Sequence, residues 1–403
     1  MSFSQYWNNF EKRTKALFYS IASVNGFRRQ LTSALMLLYF ISLGYDASLV
    51  ALMFGISRLF LLVFEFPSGT VADHYSRKKS VLFSFLLMSL AFFGLYGFES
   101  FLLLSLAFVL HDVAWAFQSG ISTAWVIDNL NIGEHKKKMA NFYAKYFFFE
   151  KSGRIIGGLA GLLIVASSFK TIWLVIALLN LSMFFILLIF MEEKNFFPVK
   201  NDHNFIKKMF FQAKESIIFL LSNQKKEFRK FLTIGFFGDL SLQMFYLIAP
   251  LVLAQILGIS ESNIAGIYGL ISVLVLASPF VGEKLLSSWN LRSSMIRGSI
   301  ALGLAILIFT FSKSIILSVI GLFLFEFIDY ALATIYQSAT QNFIPSKNRA
   351  SLSSIVNVLW HLSFSLAAGL IALSLKLFGL IPTGMFVALI SIGVGFAYLK
   401  LKE

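Results

Sequence analysis

Cysteine is absent from this 403-residue chain. That absence removes disulfide frameworks, thiolate nucleophiles and Cys-ligated zinc or iron–sulfur centres. Charge is scarce as well: Asp, Glu, Lys and Arg make up 13% of the residues, about half the ~25% typical of soluble domains. Only 6 prolines and 26 glycines interrupt the remaining sequence, so collagen-like, low-complexity and disordered readings fall away. What fills the chain is 58% hydrophobic residue, including 47 phenylalanines. This is the composition of an integral membrane protein in a lipid bilayer.

A helix crosses the hydrocarbon core with roughly 20 residues. Runs of that length are predicted at 16–42, 47–72, 80–98, 101–127, 140–167, 171–191, 231–257, 263–281, 294–311, 314–340, 350–374 and 378–399. The short apolar/polar alternation of a membrane barrel is missing, and stretches such as Leu174 to Phe190 are apolar on every side, which leaves helices. The longest polar interval, Glu192 to Lys230, divides the twelve runs six and six. The expected domains are therefore 1–191, a connector at 192–230, and 231–403. Within the connector, residues 205–221 suit a helix lying on the membrane surface. A weak internal repeat supports the division, since Asn129 superposes on Asn342 and Lys136 on Arg349 at one offset.

The formal charge of +14 would suggest nucleic acid only if the basic residues shared one solvated face. Instead they alternate along the chain. Connections on one side carry 25 Lys and Arg; those on the other carry only Lys170, Lys313 and Lys376. Because Lys and Arg are retained in cytoplasmic loops, both termini are expected in the cytoplasm. The charge is thus a topology signal, with no nucleic-acid partner implied. The amino-terminal stretch MSFSQYWNNFEKRTK is too polar for a cleavable signal. The lack of long extramembrane domains suggests a bacterial-type inner membrane.

After the second run the chain reads FEFPSGTVADHYSRKKS. This resembles the loop signature G-x-x-x-D-[RK]-x-G-[RK]-[RK] of the major facilitator superfamily, which Gly69, Asp73, Arg77 and Lys78 match. His74 stands where the family commonly has a basic residue, and Ser76 where it has a turn glycine. The resemblance implies an all-α transmembrane fold of twelve helices in two pseudo-symmetric six-helix bundles. It also implies a gating latch, in which Gly69 allows close helix contact and Asp73 bonds the neighbouring helix end and basic loop. Asp128, at the end of the fourth run, is expected to meet Arg77 and Lys78. A second stretch, KSGRIIGGLAGLL, is similar to the glycine-rich fifth helix of drug and proton antiporters, with Gly158 where a proline is usual. The alternative for Gly153, Gly157, Gly158 and Gly161 is plain close packing of helices. GFRRQ in the first run and Glu65 to Gly69 in the second resemble motifs of one subgroup of the superfamily.

Charge at bilayer depth costs a few kcal/mol per residue on insertion scales, so such residues should face protein or a watery path. Arg28 and Arg154 fall nearest mid-membrane and are candidate solute-side cations. Asp112, Asp239, Glu326 and Asp329 are candidate proton-coupling groups, because a carboxyl withdrawn from water can exchange a proton near neutral pH. Glu150 with Arg154, and Arg58 with Glu65, have the spacing of structural pairs. Ser354, Asn357, His361 and Ser365 form one polar stripe in the eleventh run, read as cavity lining or as a bond to a neighbouring helix. Trp115, Trp125 and Tyr330 are the candidate cavity aromatics.

These features predict a proton-coupled secondary transporter of a small organic solute. Export is favoured over uptake of an organic anion, sugar or nutrient. It would act as a monomer without a cofactor, since no G-x-x-x-x-G-K-[ST] loop is present to bind ATP. A membrane-embedded enzyme would need a nucleophile or metal motif, and neither H-E-x-x-H nor G-x-S-x-G occurs. A transport-inactive sensor of the same fold is the third reading. Reporter fusions should place both Met1 and Glu403 in the cytoplasm; activity of a periplasmic reporter at either end would refute the orientation.

Overall fold

Apolar segments bounded by short polar turns can satisfy their backbone only internally, and the chain does so as helices. The structure is a computed structural model that describes residues 9–130, 136–194, 226–288, 290–343 and 349–401. The expected surface helix at 205–221 falls outside these residues.

The helices are α1 Phe10–Ser42, α2 Ala47–His74, α3 Arg77–Gly97, α4 Phe101–Ala116, α5 Ile121–Leu130, α6 Lys136–Ser167 and α7 Thr171–Phe190. They continue with α8 Lys226–Leu251, α9 Glu261–Leu274, α10 Ser278–Ser288, α11 Leu291–Phe311, α12 Ile315–Phe343, α13 Arg349–Phe378 and α14 Leu380–Ala397. Side-chain caps start several of them. Asn9 accepts from the Lys12 amide at 3.1 Å, Ser76 from Lys79 at 3.0 Å and Asn290 from Ser293 at 2.8 Å.

Three expected continuous runs are interrupted, each for a local reason. The run at 101–127 breaks into α4 and α5 at a turn ending in Gly120, whose φ of 72° lies in the left-handed region. The run at 231–257 carries Pro250 near the end of α8 and finishes as a π-helical turn, Val252–Ile256. Proline lacks the amide that would bond four residues back, and the widened turn follows it. The run at 263–281 passes through a 3₁₀ turn, Val275–Ala277, before Pro279 opens α10.

Ten segments among the described residues are long and apolar enough to cross a membrane. The two expected runs not among them, 16–42 and 140–167, are nevertheless helical throughout, as α1 and α6. They carry the charged residues Arg28, Arg29, Glu150, Lys151 and Arg154, which lower their hydropathy.

The chain forms two compact units. The first comprises Met1–Tyr45, Ile56–Asp202 and Glu261–Leu270; the second comprises Asp46–Gly55, His203–Ser260 and Ile271–Glu403. Both units are discontinuous in sequence. In the first unit α1 packs along α6, and α3 lies between α4 and α7. In the second, α11 packs on α12 and α14, and α8 on α13 and α14.

Buried hydroxyls tie neighbouring helices by donating to backbone carbonyls. Ser84 reaches Ala114 at 2.7 Å and Ser89 reaches Ala177 at 2.9 Å in the first unit; Ser391 reaches Ser299 at 3.0 Å in the second. The glycine-rich face of α6 is also accounted for by packing. A Cβ on Gly153 would stand 2.0 Å from the Ser23 carbonyl oxygen, and one on Gly158 would stand 2.3 Å from the Gly269 Cα. Backbone therefore touches backbone at both crossings.

Gly153→Val is expected to force α1 and α6 apart and to cost about 1–3 kcal/mol from overpacking. Thermal unfolding of the purified protein should show a lowered Tm, and an unchanged Tm would show that the crossing tolerates bulk.

Candidate functional site

Two polar centres and one polar end-contact stand out against the apolar interior. The first centre lies in the first unit, where α1, α2, α4 and α6 each contribute charge. Arg28 is 2% exposed and Asp112 1%. The Arg28 Nη1 donates to His111 Nε2 at 2.6 Å. Because a guanidinium has no acceptor, that imidazole nitrogen accepts and the proton sits on Nδ1, which faces Asp112 Oδ1 at 3.2 Å. Ser57 donates to Asp112 Oδ2 at 2.8 Å, and the Arg58 guanidinium lies 3.8 Å from Oδ1. On the other side of α1, Arg29 lies 3.8 Å from Glu150, which also accepts from Arg154 at 2.8 Å. The Trp115 ring sits beside both α1 arginines, 4.4 Å from Arg29 and 5.1 Å from Arg28.

The sequence-predicted Arg28, Asp112 and Trp115 are thus brought together, while Arg154 is held by Glu150. Asp112 serves here as the common partner of a serine, a histidine and an arginine. His111 and Ser57 were missed by sequence reasoning. The signal for His111 was its place beside Asp112, on a helix already singled out.

The second centre is a cavity of about 360 Å³ in the second unit. Its polar wall includes Asp239, Asp329, Tyr336, Gln337, Asn357 and Trp360; the rest is mostly apolar. Both oxygens of Asp239 accept hydrogen bonds, one from Gln243 at 3.2 Å and the other from Ser363 of α13. Among the described residues Asp239 has no ion-pair partner. Tyr246 donates to Asp329 at 2.7 Å and stands 3.4 Å from Glu326, so one phenol spans both acids of α12.

The predicted stripe on α13 divides. Asn357 lines the cavity, whereas Ser365 donates to the Gly55 carbonyl at 2.7 Å. His361 and Tyr330 are not among the lining residues, whose aromatic members are Phe236, Tyr336, Trp360 and Tyr398. The side chain of Ser354 lies outside the described residues. Tyr246 and Ser363 were invisible to a search for charge, because each acts through a hydroxyl on a neighbouring helix.

The loop at 75–78 forms the third contact. Arg77 pairs with Asp128. Ser76 has φ 175°, extended backbone open to any residue, so no glycine is required there. Its hydroxyl donates to Glu193, which also accepts from the Lys78 amide at 3.0 Å. The Lys78 ammonium donates to the Leu188 carbonyl at 3.0 Å. Trp125, expected in a cavity, is buried and donates to the Glu192 carbonyl at 2.8 Å, as does Asn129 at 3.0 Å. A Cβ on Gly69 would meet nothing within 4 Å among the described residues. The Asp73 side chain lies outside the described residues.

A sequence model of the Major Facilitator Superfamily matches residues 18–368. An uncharacterized MFS-type transporter of Bacillus subtilis (strain 168), YxaM, is 31% identical over 113 residues, 28% of this chain and 28% of that protein. Among solved structures, a mutant of the nucleoside transporter NupG superposes with TM-score 0.80 at 13% identity, covering 98% of this chain and 100% of that one. A POT family transporter in complex with 5-aminolevulinic acid superposes with TM-score 0.75 at 13% identity, covering 96% and 95%. These structural likenesses concern the fold.

Removing one partner of a buried ion pair strands the other charge. Asp112→Asn is therefore expected to destabilise the protein by about 3–5 kcal/mol, and adding Arg58→Met should restore part of the loss. Equal Tm values for wild type and Asp112→Asn would show that the Asp112 charge carries no structural weight.

Proposed function

Because the chain belongs to the Major Facilitator Superfamily, a family of membrane transporters, we propose that it is a proton-coupled secondary transporter of a small organic solute. The observation that carries this reading is the second-unit cavity. It is about 360 Å³, within the range of small-molecule sites. Its walls are mostly apolar, with a few fixed polar groups and a carboxyl group that has no ion-pair partner among the described residues.

In this reading all twelve runs span the bilayer, including α1 and α6, whose charges meet one another inside the first unit. Both termini are cytoplasmic, the membrane is a bacterial inner membrane, and the protein works as a monomer. The solute is offered to each side in turn, with Arg77, Lys78 and Asp128 as part of the gate.

Asp239 is the coupling group we favour over Asp112, because Asp112 is engaged by Arg58, His111 and Ser57. The ionised Asp239 uses both oxygens as acceptors. A proton arriving there turns one acceptor into a donor, so the Ser363 hydroxyl must turn to accept it, giving its own proton to the Trp360 carbonyl, or the bond from Gln243 must yield. Ser363 belongs to α13 and Asp239 to α8, so protonation rearranges the hydrogen bonds at two helices that line the cavity. Solute occupancy and proton occupancy are thereby linked through one side chain.

Export is the direction supported by the likeness of α6 to antiporter helices. Uptake is the second reading, since close packing accounts for Gly153 and Gly158 without an antiport function. Inside-out vesicles distinguish them: export predicts solute accumulation driven by an imposed proton gradient, and uptake predicts release.

In proteoliposomes, Asp239→Asn is expected to abolish gradient-driven accumulation while solute exchange at equal concentrations continues. A panel of nucleosides, short peptides, organic acids and amphipathic drugs would supply the solute. Undiminished gradient-driven accumulation by Asp239→Asn would remove the coupling role, and absence of flux for the whole panel would leave the transport reading without support.

A further inference from the structure

Arg28 presents an unusual combination: an almost fully buried guanidinium whose donors are only partly used. Its Nη1 is held by His111 at 2.6 Å. Its Nε and Nη2 are buried and have no hydrogen-bond partner among the described residues. Those two atoms are not an arbitrary pair. Around the guanidinium plane, the Nε–H and the outer N–H of Nη2 lie on the same edge and point in parallel. They form the fork that receives both oxygens of a carboxylate.

The surroundings explain why the edge stays open. Four arginines of this centre face two carboxylates. Arg58 lies 3.8 Å from Asp112, and Arg29 and Arg154 lie 3.8 Å and 2.8 Å from Glu150. Among the described residues Arg28 alone of the four has no acid within ion-pair distance, and Asp112 reaches it through the His111 ring. Unused donors on a buried cation are costly, and an acceptor that reaches this edge relieves that cost.

We propose that the Nε/Nη2 edge of Arg28 is a carboxylate-binding subsite of the first unit. His111 positions the guanidinium, and Trp115 forms the wall beside it. The site therefore takes a monocarboxylate borne on an apolar or aromatic body. A phosphate dianion would bring a second charge, yet the neighbouring arginines already face acids. His111 is a positioning residue: by accepting from Nη1 it fixes which edge remains open. The assignment rests on the transport reading for its solute, and direct binding separates the two.

The test uses the purified full-length protein in detergent with acetate, benzoate and phenylpropionate, each beside its amide, and inorganic phosphate. Thermal unfolding is followed by tryptophan fluorescence. At least one carboxylate should raise Tm saturably, its amide should not, and phosphate should bind more weakly. Arg28→Lys keeps the charge and loses the fork, so the apparent Kd should rise about tenfold or more. The subsite is overturned if no carboxylate shifts Tm, if amides match their acids, if phosphate binds tightest, or if Arg28→Lys leaves Kd unchanged. Should Arg28→Lys fail to fold, the acid-to-amide contrast in the wild type decides alone. Carboxylate binding without flux in proteoliposomes would keep the subsite and remove the transport reading. Flux of a solute lacking a carboxylate, unchanged in Arg28→Lys, would do the reverse.

Discussion

An ionised side chain withdrawn from water must find its solvation inside the protein, and in this chain that requirement organises nearly everything that is not apolar packing. The 1% exposed Asp112 and the 4% exposed Glu150 gather arginines from α1, α2 and α6 because no solvent is available to do so. α1 and α6, which carry Arg28, Arg29, Glu150 and Arg154, are the least apolar of the long helices, and their close crossing brings Glu150 to Arg29. Glycines on both helices make that approach possible. Electrostatics and packing are therefore not separate layers here: the crossing exists at a distance that lets the charges meet.

The two units solve the same problem with opposite chemistry. The first unit assembles cations and lets acids neutralise most of them. The second places acids on α8 and α12 and surrounds them with hydroxyl and amide donors from Tyr246, Gln243 and Ser363. A carboxylate held by neutral donors can lose or gain a proton without stranding a fixed countercharge, whereas one facing an arginine cannot. This difference in partner, rather than burial, distinguishes the surroundings of Asp239 from those of Asp112.

Much of the architecture was legible in the sequence because it depends on composition over long windows. Run lengths, the sparse prolines and the alternating loop charge each integrate over tens of residues, and the helices fall where those windows place them. What was not legible depends on a single turn or on a partner far along the chain. Gly120 closes the turn between α4 and α5 with its left-handed backbone, and a π-helical turn at Val252–Ile256 follows Pro250. At the sites, charged residues could be singled out because each is costly in lipid, and Arg28, Asp112, Asp239 and Asp329 all occupy polar centres. Which of them share a centre could not be read, because Arg28 meets His111 across 83 positions and Ser363 meets Asp239 across 124. Hydroxyl partners carry no such cost and left no trace, and His111 was marked only by its place beside Asp112. The stripe on α13 divides for a related reason: helical spacing fixes a common face, while the neighbours of that face change from Asn357 to Ser365.

The contact between Gly158 and Gly269 carries an evolutionary consequence. Neither position has room for a side chain while the other's backbone stays in place, so neither can drift independently. Relatives that keep this crossing will hold small residues at both positions, and those that have lost it are released at both together. Paired change at these two sites would thus mark lineages in which α6 and α9 have moved apart.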